Sequence, residues 1–110
     1  MTTAAKTPSK LSAASAAWYR TIVSGWELDV HHLRLLERAA RAWDRIEEAR
    51  TILDRDGLVI LDRFDQPKEH PAAKAERDYS ILFARLVREL GLDDTPSPDE
   101  TRPPRIGGRS

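Results

Sequence analysis

The sequence predicts a mainly α protein: a short N-terminal helix, a long central helix, a small β-hairpin or extended loop, and a C-terminal helix. Three observations predict it. Apolar residues recur at steps of three and four over two long stretches, from Val30 to about Arg55 and from Pro71 to Leu90. Gly25, Gly57 and Gly91 stand where those patterns break off, and Pro71 stands where the last one begins. Between the two long stretches lies a β-branched-rich run, Leu58-Val59-Ile60-Leu61, short enough for a strand.

Each element has a local cause. Leu11-Ser12 opens the ordered part, with Ser12 as N-cap because its hydroxyl can accept from an amide two or three residues on. A helix over Ala13–Val23 would turn Ala17, Trp18, Ile22 and Val23 inward and stop at Gly25. Asp29 is the next N-cap. Leu28 and Leu33 flank it at the positions of a hydrophobic staple, and His32 stands where a capping box would have Glu, so no box is expected. The central helix carries Leu33, Leu36, Ala40, Trp43, Ile46 and Leu53 on its apolar stripe. At 1.5 Å per residue it makes a rod of about 40 Å, and one apolar stripe on so long a rod calls for a partner helix. Gly57 is expected as a left-handed cap. Asp62-Arg63-Phe64-Asp65-Gln66-Pro67 turns the chain back into a hairpin, which is marginal alone and must lie on the helices or add to a neighbouring subunit. Tyr79, Leu82, Phe83, Leu86 and Leu90 form the stripe of the last helix, and Gly91-Leu92 can close it in a Schellman arrangement.

The three parts of the chain differ in composition. Residues 1–10 are small and polar, and residues 93–110 hold four prolines and two glycines with Ile106 the only large apolar side chain. Both are expected to be disordered tails, because neither buries enough surface to offset ordering entropy. Residues 11–92 form the folding unit, a size at which burial alone is marginal and oligomerisation commonly adds stability. With no cysteine there is neither disulfide nor thiolate metal site. No signal peptide or membrane span is read, which predicts a soluble cytosolic protein.

Charge constrains function. Eighteen basic residues balance eighteen acidic ones. A strongly DNA-binding monomer is therefore disfavoured, since non-specific DNA affinity comes mostly from neutralising phosphates. Any DNA contact must be a local patch, or a patch multiplied by symmetry. The candidates are Arg34, Arg38, Arg41 and Arg45 within three turns of the central helix, and the basic N-terminal residues Lys6, Lys10 and Arg20. A plain solvated face competes with that reading for the arginines. Lys68 and His70 flank the proline-started helix; with the free amides of its first turn they are a candidate anion or partner contact, against a purely structural loop. The chemistry of catalysis is missing from the pattern: no nucleophile elbow, no glycine-rich phosphate loop, no HExxH. His31 and His32 are adjacent, so on a helix they point about 100° apart, and no metal site or cofactor is expected. Trp18 and Trp43 read as core, and Trp26 as a residue of the interhelix turn that could pack between protomers.

The order of these features resembles the short phage terminase small subunits of tailed phages and prophages. The matching pieces are Leu11-Ser12 with Trp18 and Ile22, Leu28-Asp29 before a long Leu/Arg/Glu helix, Gly57, Gln66-Pro67-Lys68, His70-Pro71-Ala72, and Leu90-Gly91-Leu92. The resemblance covers about residues 11–92. Three departures stand out: Ala13-Ala14-Ser15 replace the capping Glu of the family, Asp65 stands where the loop commonly has Gly, and the stretch after Leu92, which normally continues with small residues and Arg, is acidic and proline-rich first. The resemblance implies a helical-hairpin core in a ring homo-oligomer, without enzyme activity, in the cytoplasm of the bacterial host. Such a protein recognises double-stranded viral DNA and recruits or regulates the large terminase subunit, which carries the ATPase and nuclease. A helical protein–protein adaptor that never touches DNA is the alternative, and a small transcription regulator a more remote one.

Overall fold

The computed structural model describes residues 6–92. The tails expected over 1–5 and 93–110 lie outside the described residues; residues 6–10 carry no helix or strand. The described chain runs α1 (Ala13–Gly25), α2 (Val30–Asp56), β1 (Val59–Leu61), β2 (Pro67–Glu69) and α3 (Pro71–Leu90). This is the predicted mainly α order, with the short extended element formed as an antiparallel two-stranded hairpin.

The caps explain the boundaries. At α1 the Ser12 hydroxyl accepts from the Ser15 amide at 3.1 Å. At α2 the Asp29 carboxylate accepts from the His32 amide, and the His32 ring accepts in turn from the Asp29 amide at 3.4 Å. The capping box is therefore present, against expectation: the imidazole Nδ1 is an acceptor that can do the work of a Glu carboxylate. Gly57 ends α2 with φ +87° and ψ 163°, a glycine region but an extended one, so the chain leaves straight for β1 and not through a left-handed helical cap. Gly91 does adopt the left-handed conformation. Its amide donates to Arg88 and the Leu92 amide to Val87, both at 3.0 Å, which is the Schellman pattern.

Packing is built on the antiparallel pair α2–α3, with α1 laid across the first half of α2. Tyr19, Leu36 and Leu90 are the buried centre, one from each helix, and Leu11, Trp18, Ile22, Val23, Leu28, Leu35 and Leu92 close around them. Further along, Ala39, Ala40, Ala42 and Ala49 of α2 and Ala72 and Ala73 of α3 are buried. Small side chains on both helices let the two backbones approach. Trp18, Ile22 and Val23 of α1 face the buried centre as predicted, but Ala17 does not, and two residues outside the predicted stripe are the most buried. Ser15 and Tyr19 are buried and Ala17 is exposed, because α1 rotates to aim Ser15 at a polar partner on α2. Trp43 is 40% exposed and not core; its ring leans on Phe83 at 5.1 Å, and Trp18 meets the same Phe83 from α1 at 5.7 Å.

That polar partner is Asp44, 7% exposed. Its Oδ2 accepts from the Ser12 amide at 2.8 Å, and its Oδ1 accepts from the Ser12 and Ser15 hydroxyls at 2.7 and 2.6 Å. The Glu missing from the start of α1 is thus supplied by another helix. Burial pushes the Asp44 carboxyl up, but the bonds from Ser12 and Ser15, with Arg45 close by, outweigh it and hold the group below the usual carboxylate value.

The hairpin stands away from the core. Val59 pairs with Glu69, Ile60 with Lys68 and Leu61 with Pro67. Asp65 (φ +62°) takes the left-handed position after the Asp62–Asp65 turn, which makes a three-residue connection. The Asp62 carboxylate accepts from the Phe64 and Gln66 amides at 2.7 and 3.0 Å, and those two bonds hold it below the ordinary carboxylate value. Leu58, Val59, Leu61 and Phe64 are all more than half exposed. Of the two placements expected for it, contact with the helices is limited: Glu69 of β2 pairs with Arg77 of α3 at 3.0 Å, but the apolar side chains of the hairpin stay exposed.

The Asp44 cluster and the hairpin turn can each be tested by substitution. Asp44→Ala should lower unfolding free energy by about 2–3 kcal/mol in urea titrations, since it strands a buried hydroxyl and removes a charged acceptor. Because the folded carboxyl lies below its unfolded value of 3.8, its contribution is fully present above that pH and disappears as pH falls through the folded value; the variant should lack that part of the acid limb. At the turn, Asp65→Gly should be neutral or slightly stabilising, whereas Asp65→Val should cost about 1–2 kcal/mol for forcing a β-branched residue left-handed. Equal losses for both would place the strain elsewhere.

Candidate nucleic-acid interface

On α2 the steps Arg34, Arg38, Arg41, Arg45 are four, three and four residues. At 100° per residue these positions fall within an arc of about 60°, and at 1.5 Å per residue they span about 17 Å. Leu36 and Ala40 point to the opposite side into the core, so the arginines occupy the outward face of the helix. Arg34, Arg38 and Arg45 are exposed and Arg41 is half-buried.

The stripe forms one side of an open groove. α3 supplies the other wall with Tyr79, Leu82 and Leu86, and Leu35 and Ala42 lie between. The groove encloses about 1100 Å³. Lys10 completes its rim. The Arg41 guanidinium donates to the Ser9 carbonyl at 3.3 Å, and Lys10 itself takes a left-handed turn (φ +67°) before α1 begins. The N-terminal segment is thereby tied beside the stripe. Five cations thus face one carboxylate, Glu37, which holds Arg41 through bonds of 3.1 and 2.8 Å. Arg45 pairs with Glu48 at 3.1 Å. Among the described residues, Arg34 and Arg38 have no ion-pair partner. The arrangement can take a polyanion along its rim and apolar groups on its floor.

The structure thus gathers Lys10 with Arg34, Arg38, Arg41 and Arg45. Lys6 and Arg20 are exposed but do not line the groove. Lys68 and His70 lie past the far end of α2, whose last turn is about 17 Å beyond Arg45 by helical rise. His70 has both ring nitrogens engaged. Its Nδ1 accepts from the Ala72 amide at 3.0 Å, so the proton is on Nε2, which points at the Asp56 carboxylate, also at 3.0 Å. The amide of Ala72 is therefore already bonded, and His70 works as the N-cap of α3 and its tie to the end of α2. Arg55, then His70, hold the Asp56 carboxyl well below the usual range. Lys68 is exposed on β2.

The histidine pair departs from the expected geometry. His31 and His32 do not diverge: the Nδ1 atoms of both lie close to one Asp29 oxygen, at 2.8 and 2.9 Å. The 100° rule describes Cα–Cβ directions; at the first turn, with no preceding turn to block them, both rings fold back to the cap. The three ligand atoms lie within 4.8 Å of one another. The capping box already accounts for the cluster, and the free amides beneath it disfavour a cation.

Lys10 was legible in the sequence only as one basic residue among several; its left-handed turn had no glycine to announce it. The apolar floor was half legible, since Tyr79, Leu82 and Leu86 are on the predicted α3 stripe. No helix of the described residues is long and apolar enough to cross a membrane. Comparison with curated proteins and with solved structures finds no match. A family model described as "Phage terminase, small subunit" matches residues 14–98.

Proposed function

The chain belongs to the phage terminase small-subunit family, and on that premise we propose that it recognises viral DNA through the α2 arginine stripe and delivers it to the large subunit, itself performing no catalysis. The observation that carries this reading is the groove: five cations line it with one carboxylate, Glu37, and even with Glu48 paired to Arg45 from outside, cations are in excess in a chain whose net charge is zero. Backbone phosphates are the natural ligand of such a row. Its length of about 17 Å spans several phosphates of one strand, which lie about 3.4 Å apart along the axis.

A single protomer would hold DNA weakly, because only a few phosphates are neutralised. Repetition around a closed homo-oligomer multiplies the same patch, and linked weak contacts gain by effective concentration. The hairpin supports assembly. Leu58, Val59, Leu61 and Phe64 are an apolar patch at the far end of the molecule from the groove, and both long edges of a two-stranded hairpin are open to a neighbour. A head-to-tail contact of this kind closes into a ring when the rotation allows. The function sits in the host cytoplasm, where the packaging motor assembles. The apolar floor of the groove favours a second reading, a protein–protein adaptor that meets the large subunit without touching DNA.

Arg34→Ala combined with Arg38→Ala should leave the helical circular-dichroism spectrum intact and weaken binding to duplex DNA. The slope of log K against log salt should fall by about 2 for each protomer that contacts the duplex. An unchanged slope would remove the stripe from the DNA contact. Full loss of DNA binding by the wild type at about 50 mM salt, with large-subunit binding intact, would establish the adaptor instead. Light scattering should give a concentration-dependent mass above the monomer, reduced in Phe64→Ser; a wild-type monomer at every concentration would end the ring reading.

A further inference from the structure

The described chain ends at Leu92, and Leu92 packs against the same Tyr19–Leu36–Leu90 cluster as Leu35. Leu35 also lines the groove next to Arg34. The chain therefore leaves the folded core at one end of the arginine stripe. The next eight residues are Asp93-Asp94-Thr95-Pro96-Ser97-Pro98-Asp99-Glu100, with four carboxylates and no cation; Arg102, Arg105 and Arg109 come only afterwards.

From this juxtaposition we propose that residues 93–100 of the same chain occupy the arginine groove and compete with DNA for it, a reading that rests on the groove being the DNA site. Three arguments support the tail as occupant. Charge is complementary: four carboxylates meet a rim of five cations in which Arg34 and Arg38 have no ion-pair partner among the described residues. Reach is sufficient: the seven residues from Leu92 to Asp99 extend about 23 Å, and the stripe is about 17 Å long. Tethering adds the last argument. A segment joined directly to the groove competes at an effective concentration in the millimolar range, enough to displace isolated or poorly fitting phosphates. A duplex presented to several protomers at once overcomes it. The tail then raises selectivity by screening out weak polyanion contacts, at a cost in affinity.

The chain has no cysteine, so Ser97→Cys carrying a nitroxide gives a single probe in the full-length protein. At about 50 mM salt the label should broaden NMR signals of Arg34, Arg38 and Arg41, and at about 500 mM it should not. Replacing Asp93, Asp94 and Asp99 by Asn and Glu100 by Gln should abolish the broadening and tighten duplex binding about three- to tenfold at the lower salt. No broadening at low salt would overturn the proposal, as would broadening seen only between labelled and unlabelled copies in a mixed sample. Broadening that disappears as duplex is added supports both the docking and the DNA site. Broadening that survives saturating duplex would overturn the competition and move the DNA site elsewhere, leaving only the docking.

Discussion

Asp44 is the point on which the small domain turns. A buried carboxylate is expensive unless its lone pairs are met, and here three donors from the start of α1 meet them. The bond is mutual: α1 has no acidic residue in its first turn, so Asp44 also supplies the negative charge that favours a helix N-terminus. With that end fixed, α1 lies along α2 so that Tyr19 reaches Leu36 and Leu90. The segment before α1 is then carried past Arg41, where the Ser9 carbonyl is bound and Lys10 joins the groove. One polar cluster therefore sets both the core and the outer basic face.

The other end of the molecule is organised by a different chain of bonds. Asp56, the last residue of α2, holds Arg55 and the His70 ring, and His70 holds the first free amide of α3. Arg50 and Glu76 add a crossing pair at 2.8 Å. These contacts fix the α2–α3 geometry at the point where the hairpin departs, so the hairpin can extend without support from the core. The outcome is a molecule with a hydrophobic projection at one end and a basic groove toward the other. Each feature costs something in a monomer: exposed apolar area at the hairpin, like-charge crowding at the stripe.

The elements most legible in the sequence were those with local causes. Pro71 and Gly91 bound α3 because a missing amide and a left-handed residue have few other uses, and Ser12 and Asp29 were visible as caps. Asp65 was visible as a substitution for Gly, and it adopts the glycine-like φ that the position requires. Tertiary causes were not visible. Asp44 stood out in no sequence pattern, because helical spacing carries no sign of a partner on α1. The burial of Ser15 and Tyr19 was not legible for the same reason: a hydrogen bond to α2 draws Ser15 inward beside the apolar stripe of Trp18, Ile22 and Val23. Spacing alone puts Trp43 in the core, yet it is 40% exposed and leans on Phe83 at the edge of the helix pair. Of the groove, the arginine spacing and Lys10 as a basic candidate were legible; that Lys10 joins the arginines while Lys6 and Arg20 do not was not, since it depends on where α1 docks.

Net charge is a poor guide to such a surface. A zero total suggests weak attraction for polyanions, but attraction at contact distance depends on charges within about a Debye length, roughly 8–10 Å at ordinary salt. Within that distance of Arg38 lie the other stripe arginines within two turns, against Glu37, which is itself bound to Arg41. The compensating carboxylates are placed elsewhere: Asp44 is turned inward, Asp29 caps a helix, Asp56 ties the far junction, and four more come after Leu92 in the sequence. Acids committed to capping and packing do not screen the stripe. A chain neutral in total can thus carry a basic stripe, because several of its carboxylates are turned to the core, to a cap or to the far junction while Arg34 and Arg38 keep no ion-pair partner among the described residues.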